Sequence, residues 1–190
     1  MAYYTKLELE EIGFKYLGKN IKVSTKAIIY DAELISIGDF SRIDDLCILS
    51  GKIEIGAYCH ITPMCLVAGG KPGIKLSDFC TLAYGVKIFA QSDDYTGESM
   101  VNSLISADFK KEHFAAVHLD KHTIIGTNSV IFPGVTVGEG TSIGAMSLVL
   151  KSTKPWGIYV GTPAKRIKDR NKNILKLESQ FLYEKNNDTI

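Results

Sequence analysis

The chain is short of most features that would specialise it. Its 190 residues include one tryptophan, five prolines and four cysteines, too little cysteine for a disulfide-stapled secreted scaffold. No apolar run approaches the roughly 20 residues of a membrane-spanning helix. The opening MAYYTKLELEE alternates acidic and apolar residues and has no signal-peptide core. Charge of one sign is also missing, since 22 Lys and Arg offset 21 Asp and Glu to leave +1. That balance argues against a general nucleic-acid binder, which needs a basic surface. No GxGxxG or GxxxxGK[ST] occurs, so nucleotide-cofactor folds have no support. What remains, 45 % hydrophobic and 23 % charged, is an ordinary globular mix. The reading is one soluble, cytoplasmic domain over 1–190, with no membrane span and no nucleic-acid partner.

What is present is a period. Aliphatic residues recur from Val23 and Ile29 through Ile37, Ile43, Leu49, Ile55, Ile61, Val67, Leu76, Leu82 and Ile88. They resume from Leu119 through Ile125, Ile131, Val137 and Ile143 to Val149. Thirteen of the sixteen steps are six residues long, and the exceptions are 8, 9 and 31. A helix of period 3.6 cannot hold that phase, whereas short strands with regular turns can. Four places after the aliphatic residue comes a small one, such as Ser41, Cys47, Cys59, Cys65, Cys80, Ser129 or Ser147. Positions an even number apart point the same way on a strand, so both are expected inside. Three hexads per triangular coil predict a solenoid of about six coils. Cys47 and Cys65, one coil apart, should stack as buried free thiols.

On these residues the chain resembles the hexapeptide-repeat acyltransferases, over residues 23–167. The resemblance implies an all-β fold, a left-handed parallel β-helix, and a homotrimer with sites at its subunit interfaces. The β-helix is expected over 23–162, interrupted by an excursion at 89–118. A short N-terminal helix is expected over 5–16 with Thr5 as its cap. A C-terminal helix is expected over 163–184, entered through Thr162 and Pro163.

Residues 151–190 carry nine basic side chains against four acidic ones. The run from IIGTNSV to GTPAKRIK resembles the coenzyme A end of sugar acetyltransferases. That match implies acetyl-CoA as cosubstrate, with no metal. It places the Thr127 N–H near the thioester, Ala145 along the pantetheine channel, and Lys151, Lys165, Arg166 and Lys168 on the phosphates. A helix start at Thr162 would add unpaired N–H groups and a positive dipole end.

The excursion carries the acceptor chemistry. Maltose- and galactoside-type O-acetyltransferases place a histidine base just after the hexad that begins here at Ile88. In IFAQSDD, Asp93 takes its place and Asp94 stands where proline follows. An alcohol needs its proton removed before attack, whereas a neutral sugar amine is already a nucleophile. With the segments DDYTGE, IDDLCILSG and KPWGIY, the chain resembles acyltransferases of nucleotide-linked amino-deoxy sugars, the dTDP-4-amino-4,6-dideoxyglucose N-acetyltransferase group. These make precursors of O-antigens and other surface polysaccharides. The resemblance implies N-acetylation by direct attack on the thioester, with Asp93 catalytic and Asp94, Tyr95 and Glu98 lining the sugar. His60, reaching across an interface, is a second candidate base. Alternatives are an O-acetyltransferase using His60, a carbonic-anhydrase-like metal site at His118 and His122, or a non-catalytic scaffold. The four-residue step of HLDKH departs from that metal family's five.

Overall fold

Many strands are only two residues long and end on a hexad aliphatic, as in Arg42–Ile43, His60–Ile61 and Thr81–Leu82. The computed structural model describes residues 2–187. Three places after the aliphatic residue the backbone turns left-handed: Phe40, Leu46, Tyr58, Met64, Phe79, His122, Asn128 and Met146 all have φ between 55° and 66°. Each such residue costs about 1–2 kcal/mol outside glycine, which stacking on the neighbouring coil offsets. It bends the chain through a corner and brings the next, small side chain inward. The aliphatic and small positions therefore flank a corner instead of sharing a strand.

One face of the β-helix stacks Lys22–Val23, Arg42–Ile43, His60–Ile61, Thr81–Leu82, Ile124–Ile125, Ser142–Ile143 and Gly157–Val160 in parallel. That makes seven levels, one more than the hexad count predicts, because the residues after Val149 lay down a further turn out of phase. A second face stacks Leu66–Leu76, Lys87–Phe89, Val130–Ile131 and Leu148–Val149. On the third, Val117–Leu119 joins Leu66–Leu76 to Thr136–Val137. The fold is the left-handed parallel β-helix. Its axis is filled by the hexad aliphatics, all buried except Ile29, which is half-buried. Each fully buried Ile or Leu contributes about 1.5–3 kcal/mol. The four cysteines are free and buried. Their thiols lie against backbone carbonyls, Cys47 donating to Thr62 O and Cys59 to Ser77 O at 3.1 Å, Cys65 to Ala83 O and Cys80 to Asp120 O at 3.3 Å, and burial opposes ionisation of all four.

Helix α1, Lys6–Ile12, starts at Thr5 in a reciprocal capping arrangement with Glu8 and buries Leu9. It is shorter than 5–16 because Gly13, at φ 82°, ends it.

The expected helix at 163–184 is corrected. Lys165–Asp169 is a strand, antiparallel to Gly157–Val160, after a reversal at Gly161 with φ 103°. The last parallel strand leaves an open edge whose N–H and C=O groups need partners, and the KRIKD segment supplies them. Helix α2 is Asn173–Asn187, where Asn171 Oδ1 accepts from the Asn173 N–H at 2.8 Å. Thr162 and Pro163 cap no helix.

Helix α2 folds back on one corner. There Phe40, Tyr58, Phe79 and His122 stack at 4.9–5.2 Å between ring centroids, and Phe181 meets Tyr58 edge-on at 5.3 Å. Glu178 pins the helix, with Oε2 2.8 Å from His122 Nε2 and Oε1 2.5 Å from Lys121 Nζ.

Candidate functional site

The corner after the first face aligns Tyr84, Thr127 and Ala145 on successive levels, following the registers Leu82–Ile125–Ile143. Around it the backbone N–H groups are used: Gly126 donates to Ile143 O, Asn128 to Tyr84 O and Gly144 to Tyr159 O, at 2.8–2.9 Å. The N–H groups of Thr127 and Ala145 have no partner among the described residues. Gly126 makes this spacing possible, since a Cβ there would lie 2.4 Å from the Ala145 nitrogen. Two unpaired donors one level apart suit an oxygen that gains charge, or an amide-bearing chain laid along them.

The cations near this end come from irregular chain and an edge strand. Lys151 is exposed beyond Leu148–Val149, and Lys165, Arg166 and Lys168 are exposed on the final strand. Arg166 is committed: its Nη2 lies 2.7 Å from Asp169 Oδ1 and 3.5 Å from Trp156 O. Lys151, Lys165 and Lys168 have no ion pair among the described residues. No helix dipole assists them, which corrects that part of the phosphate argument. Trp156 covers Gly140, where a Cβ would come within 2.4 Å of the indole.

The excursion is ordered. Gln91–Ser92 pairs antiparallel with His113–Phe114 to form its stem. Gln91 Nε2 donates to Glu112 Oε1 at 2.7 Å, and Lys110 Nζ lies 3.2 Å from Glu112 Oε2. Three of its apolar side chains, Met100, Val101 and Leu104, are exposed, Leu104 at 91 %. Within one chain these three apolar side chains are left largely uncovered.

Asp93 leaves the stem half-buried, and its carboxylate has no hydrogen bond or ion pair among the described residues. Asp94 behaves oppositely. Its Oδ1 accepts from Thr96 N and Oγ1 at 2.8 and 2.7 Å, and its Oδ2 from Ser99 N and Oγ at 3.0 and 2.8 Å. Those bonds, led by the Thr96 backbone N–H, hold the Asp94 carboxyl down to about 2. Tyr95 projects into solvent, and Glu98 meets Lys111 across 3.9 Å at the surface.

His60 lies on the first face, not at a corner, with Nε2 2.9 Å from Asp44 Oδ2. Arg42 Nε donates to Asp44 Oδ1 at 2.6 Å. Burial works to raise Asp44, yet the hydrogen bonds from Arg42 and His60 prevail and hold it low. Within one chain the structure does not bring Asp93, His60 and Thr127 together. Asp93 follows the second face, whereas Thr127 and His60 belong to the first, on different levels. His118 is exposed on the third face, and His122 is taken by Glu178. Asp44 was not among the candidates drawn from sequence. The 18-residue spacing of Ile43 and Ile61 stacks Arg42 against His60, and that spacing was the available signal.

No family model matches the chain. It is 39 % identical to dTDP-4-amino-4,6-dideoxy-D-glucose acyltransferase of Escherichia coli over 184 residues, 95 % of each protein. Its structure matches AntD, an N-acyltransferase from Bacillus cereus solved with dTDP and 3-hydroxybutyryl-CoA, at TM-score 0.96 and 44 % identity, covering 97 % of this chain and 98 % of that one. A serine-to-alanine variant of AntD, solved with dTDP-4-amino-4,6-dideoxyglucose and coenzyme A, matches at TM-score 0.95 and 44 % identity, covering 96 % and 98 %.

Proposed function

The chain belongs to the hexapeptide-repeat acyltransferase family, and from that premise we propose that it N-acetylates a nucleotide-linked amino-deoxy sugar, with acetyl-CoA as donor. The observation that carries the reading is Asp93, a half-buried carboxylate left without an internal partner at the root of an otherwise tied-down excursion. A carboxylate there holds a sugar ammonium by charge and accepts a proton as the amine adds. The relatives support the acceptor, since the E. coli protein is named for dTDP-4-amino-4,6-dideoxy-D-glucose and AntD has been solved with that sugar nucleotide.

The amine attacks the thioester carbonyl, its oxygen gains charge against the Thr127 N–H, and the thiolate of coenzyme A leaves as the tetrahedral intermediate collapses. Ala145, one level away, lines the pantetheine arm, and Lys151, Lys165 and Lys168 receive the phosphates. Arg166 reaches them only by leaving Asp169. Tyr95 and Glu98 form an outer wall against the sugar. Because Asp93 and Thr127 occupy different faces of one chain, a neighbouring copy completes the site. The exposed apolar side chains of the excursion favour the same arrangement, and a homotrimer satisfies both. The enzyme works in the cytoplasm, where acetyl-CoA and sugar nucleotides are made.

A second reading has one observation of its own. The Asp44 carboxylate, 2.9 Å from His60 Nε2, favours the tautomer that carries its proton on Nε2, which leaves Nδ1 able to accept one as a base does. In that reading His60 would take the proton from a sugar hydroxyl.

The test is thiol release from acetyl-CoA and 3-hydroxybutyryl-CoA with two acceptor sets. One is dTDP-linked 3- and 4-amino-deoxy sugars, the other simple galactosides, maltose and glucose. Turnover confined to the amines supports the proposal. Turnover on hydroxyl sugars alone overturns it in favour of His60.

A further inference from the structure

We propose that Asp94 is a positioning residue that acts through Asp93, setting the direction of its carboxylate, and that it makes no contact with the sugar. The inference rests on the reading of Asp93 given above and reassigns its neighbour.

Two adjacent aspartates in one exposed segment would be expected to share the acceptor. The structure separates their tasks. Each Asp94 oxygen already accepts two hydrogen bonds, one from a backbone N–H and one from a hydroxyl. A carboxylate has about four lone-pair sites, so Asp94 has none left for a sugar hydroxyl or ammonium. Its partners span residues 96–99. Ser99 Oγ carries the network on, accepting from the Lys111 N–H at 3.1 Å. One carboxylate thus ties the outgoing chain, the turn and the returning chain together, a few residues beyond the two-residue stem.

That closure decides where Asp93 can aim. The stem holds Ser92 through its pairing with His113, and the Asp94 network holds the residue on the other side. Asp93 is therefore fixed at both backbone neighbours while its own side chain stays unengaged. A carboxylate on an exposed excursion would otherwise sample many directions, and displacement by about 1 Å can cost on the order of 100-fold in rate. Asparagine cannot replace Asp94 fully. Its NH2 would face the Ser99 N–H, donor against donor, while its carbonyl could keep the Thr96 side.

The experiment is a cycle of D93N, D94A, S99A and the doubles D93N/D94A and D94A/S99A, with D94N as the conservative variant. Steady-state kinetics in both substrates are paired with amide hydrogen exchange over residues 94–111. D94A is expected to lower kcat/KM for the amino sugar about 10- to 100-fold, leave KM for acetyl-CoA unchanged and lose protection at 96–111, with D94N intermediate. In the D93N background D94A should cost less than about twofold more, and D94A/S99A should be no worse than D94A, as expected of residues acting through one path. If D94A multiplies the D93N loss by its full factor, Asp94 has its own contact with substrate and the proposal is overturned. If exchange over 94–111 does not change in D94A, the proposal is equally overturned. Failure of wild-type protein to acylate any amino sugar would instead refute the functional reading, and the exchange arm would still test the network.

Discussion

His60 Nε2 lies 2.9 Å from Asp44 Oδ2, and Asp44 is 2 % exposed beneath a histidine that is 39 % exposed. A buried carboxylate holding a surface imidazole is a catalytic arrangement in many enzymes and a structural one in many more. Here the Arg42 guanidinium, 2.6 Å from the other oxygen, makes Asp44 the centre of a bridge between adjacent levels. The pair separates the two acceptor readings. H60A is expected to keep amine acetylation within about threefold of wild type, because a neutral amine needs no strong base. If hydroxyl transfer is the reaction, the same variant should lose about 100-fold or more. Parallel thiol-release assays on both acceptor sets read this directly.

Asp44 itself should matter to stability whichever reading holds. D44N keeps the shape but removes the charge that Arg42 faces, and the loss is expected to be about 1–3 kcal/mol by urea denaturation at pH 7. Asp44 is held below its ordinary 3.8 in the folded chain. Its contribution is therefore complete above that value and fades as pH falls through the lower, folded one. The gap between wild type and D44N should narrow below pH 4.

Asp93→Asn keeps the size of the side chain but removes its negative charge and basicity. Turnover on the amino sugar is expected to fall about 10- to 1,000-fold, while the affinity for coenzyme A, measured by calorimetry, stays within about twofold. Equal activity in the variant would remove Asp93 from the mechanism.

The β-helix was legible in the sequence because one side-chain property repeats on one period. Ile43, Ile61, Leu82, Ile125 and Ile143 are aligned in both. The corner residues were not legible. Phe40, Tyr58 and Phe79 look unremarkable in sequence, and only the repeated left-handed backbone shows that they must stack and await α2. The end of the chain misled for a physical reason. Thr162 and Pro163 favour a helix start locally, but the open edge of Gly157–Val160 offers KRIKD a full strand partner, and tertiary pairing outweighs local propensity. In the site, unpaired groups distinguish Asp93 from Asp94, and hydrogen bonding of that kind has no sequence pattern.

Helix α2 is fastened by charge as well as by Phe181. Burial works to raise Glu178, but the hydrogen bonds of Lys121 and His122 prevail and hold it below 4.5. The sign follows from linkage: a depressed carboxylate stabilises above its unfolded value and stops doing so as pH falls through its folded one. E178Q is expected to lower stability at pH 7 by about 1–2 kcal/mol and to raise hydrogen exchange in 173–187. The two proteins should converge in acid, as pH falls from 4.5 through the lower, folded value. Persistence of the full difference in acid would show that α2 is held by packing alone.

The final strand sets a test among its own cations. Arg166 is 2.7 Å from Asp169, whereas Lys165 and Lys168 have no acidic partner among the described residues, so binding a phosphate costs them no existing ion pair. An arginine must first break its pair, and a surface pair of this kind is worth only about 0–1 kcal/mol. K165A and K168A are therefore each expected to raise KM for acetyl-CoA about 3- to 10-fold, and R166A less than about threefold. The lysine effects should shrink as salt rises from 50 to 500 mM, since exposed charges are screened over about 10 Å at 0.1 M. They should also shrink with a coenzyme A analogue that lacks its ribose phosphate, which identifies the group each lysine meets. D169A frees Arg166, and a lower KM in that variant would show that the pair competes with the coenzyme for the same guanidinium.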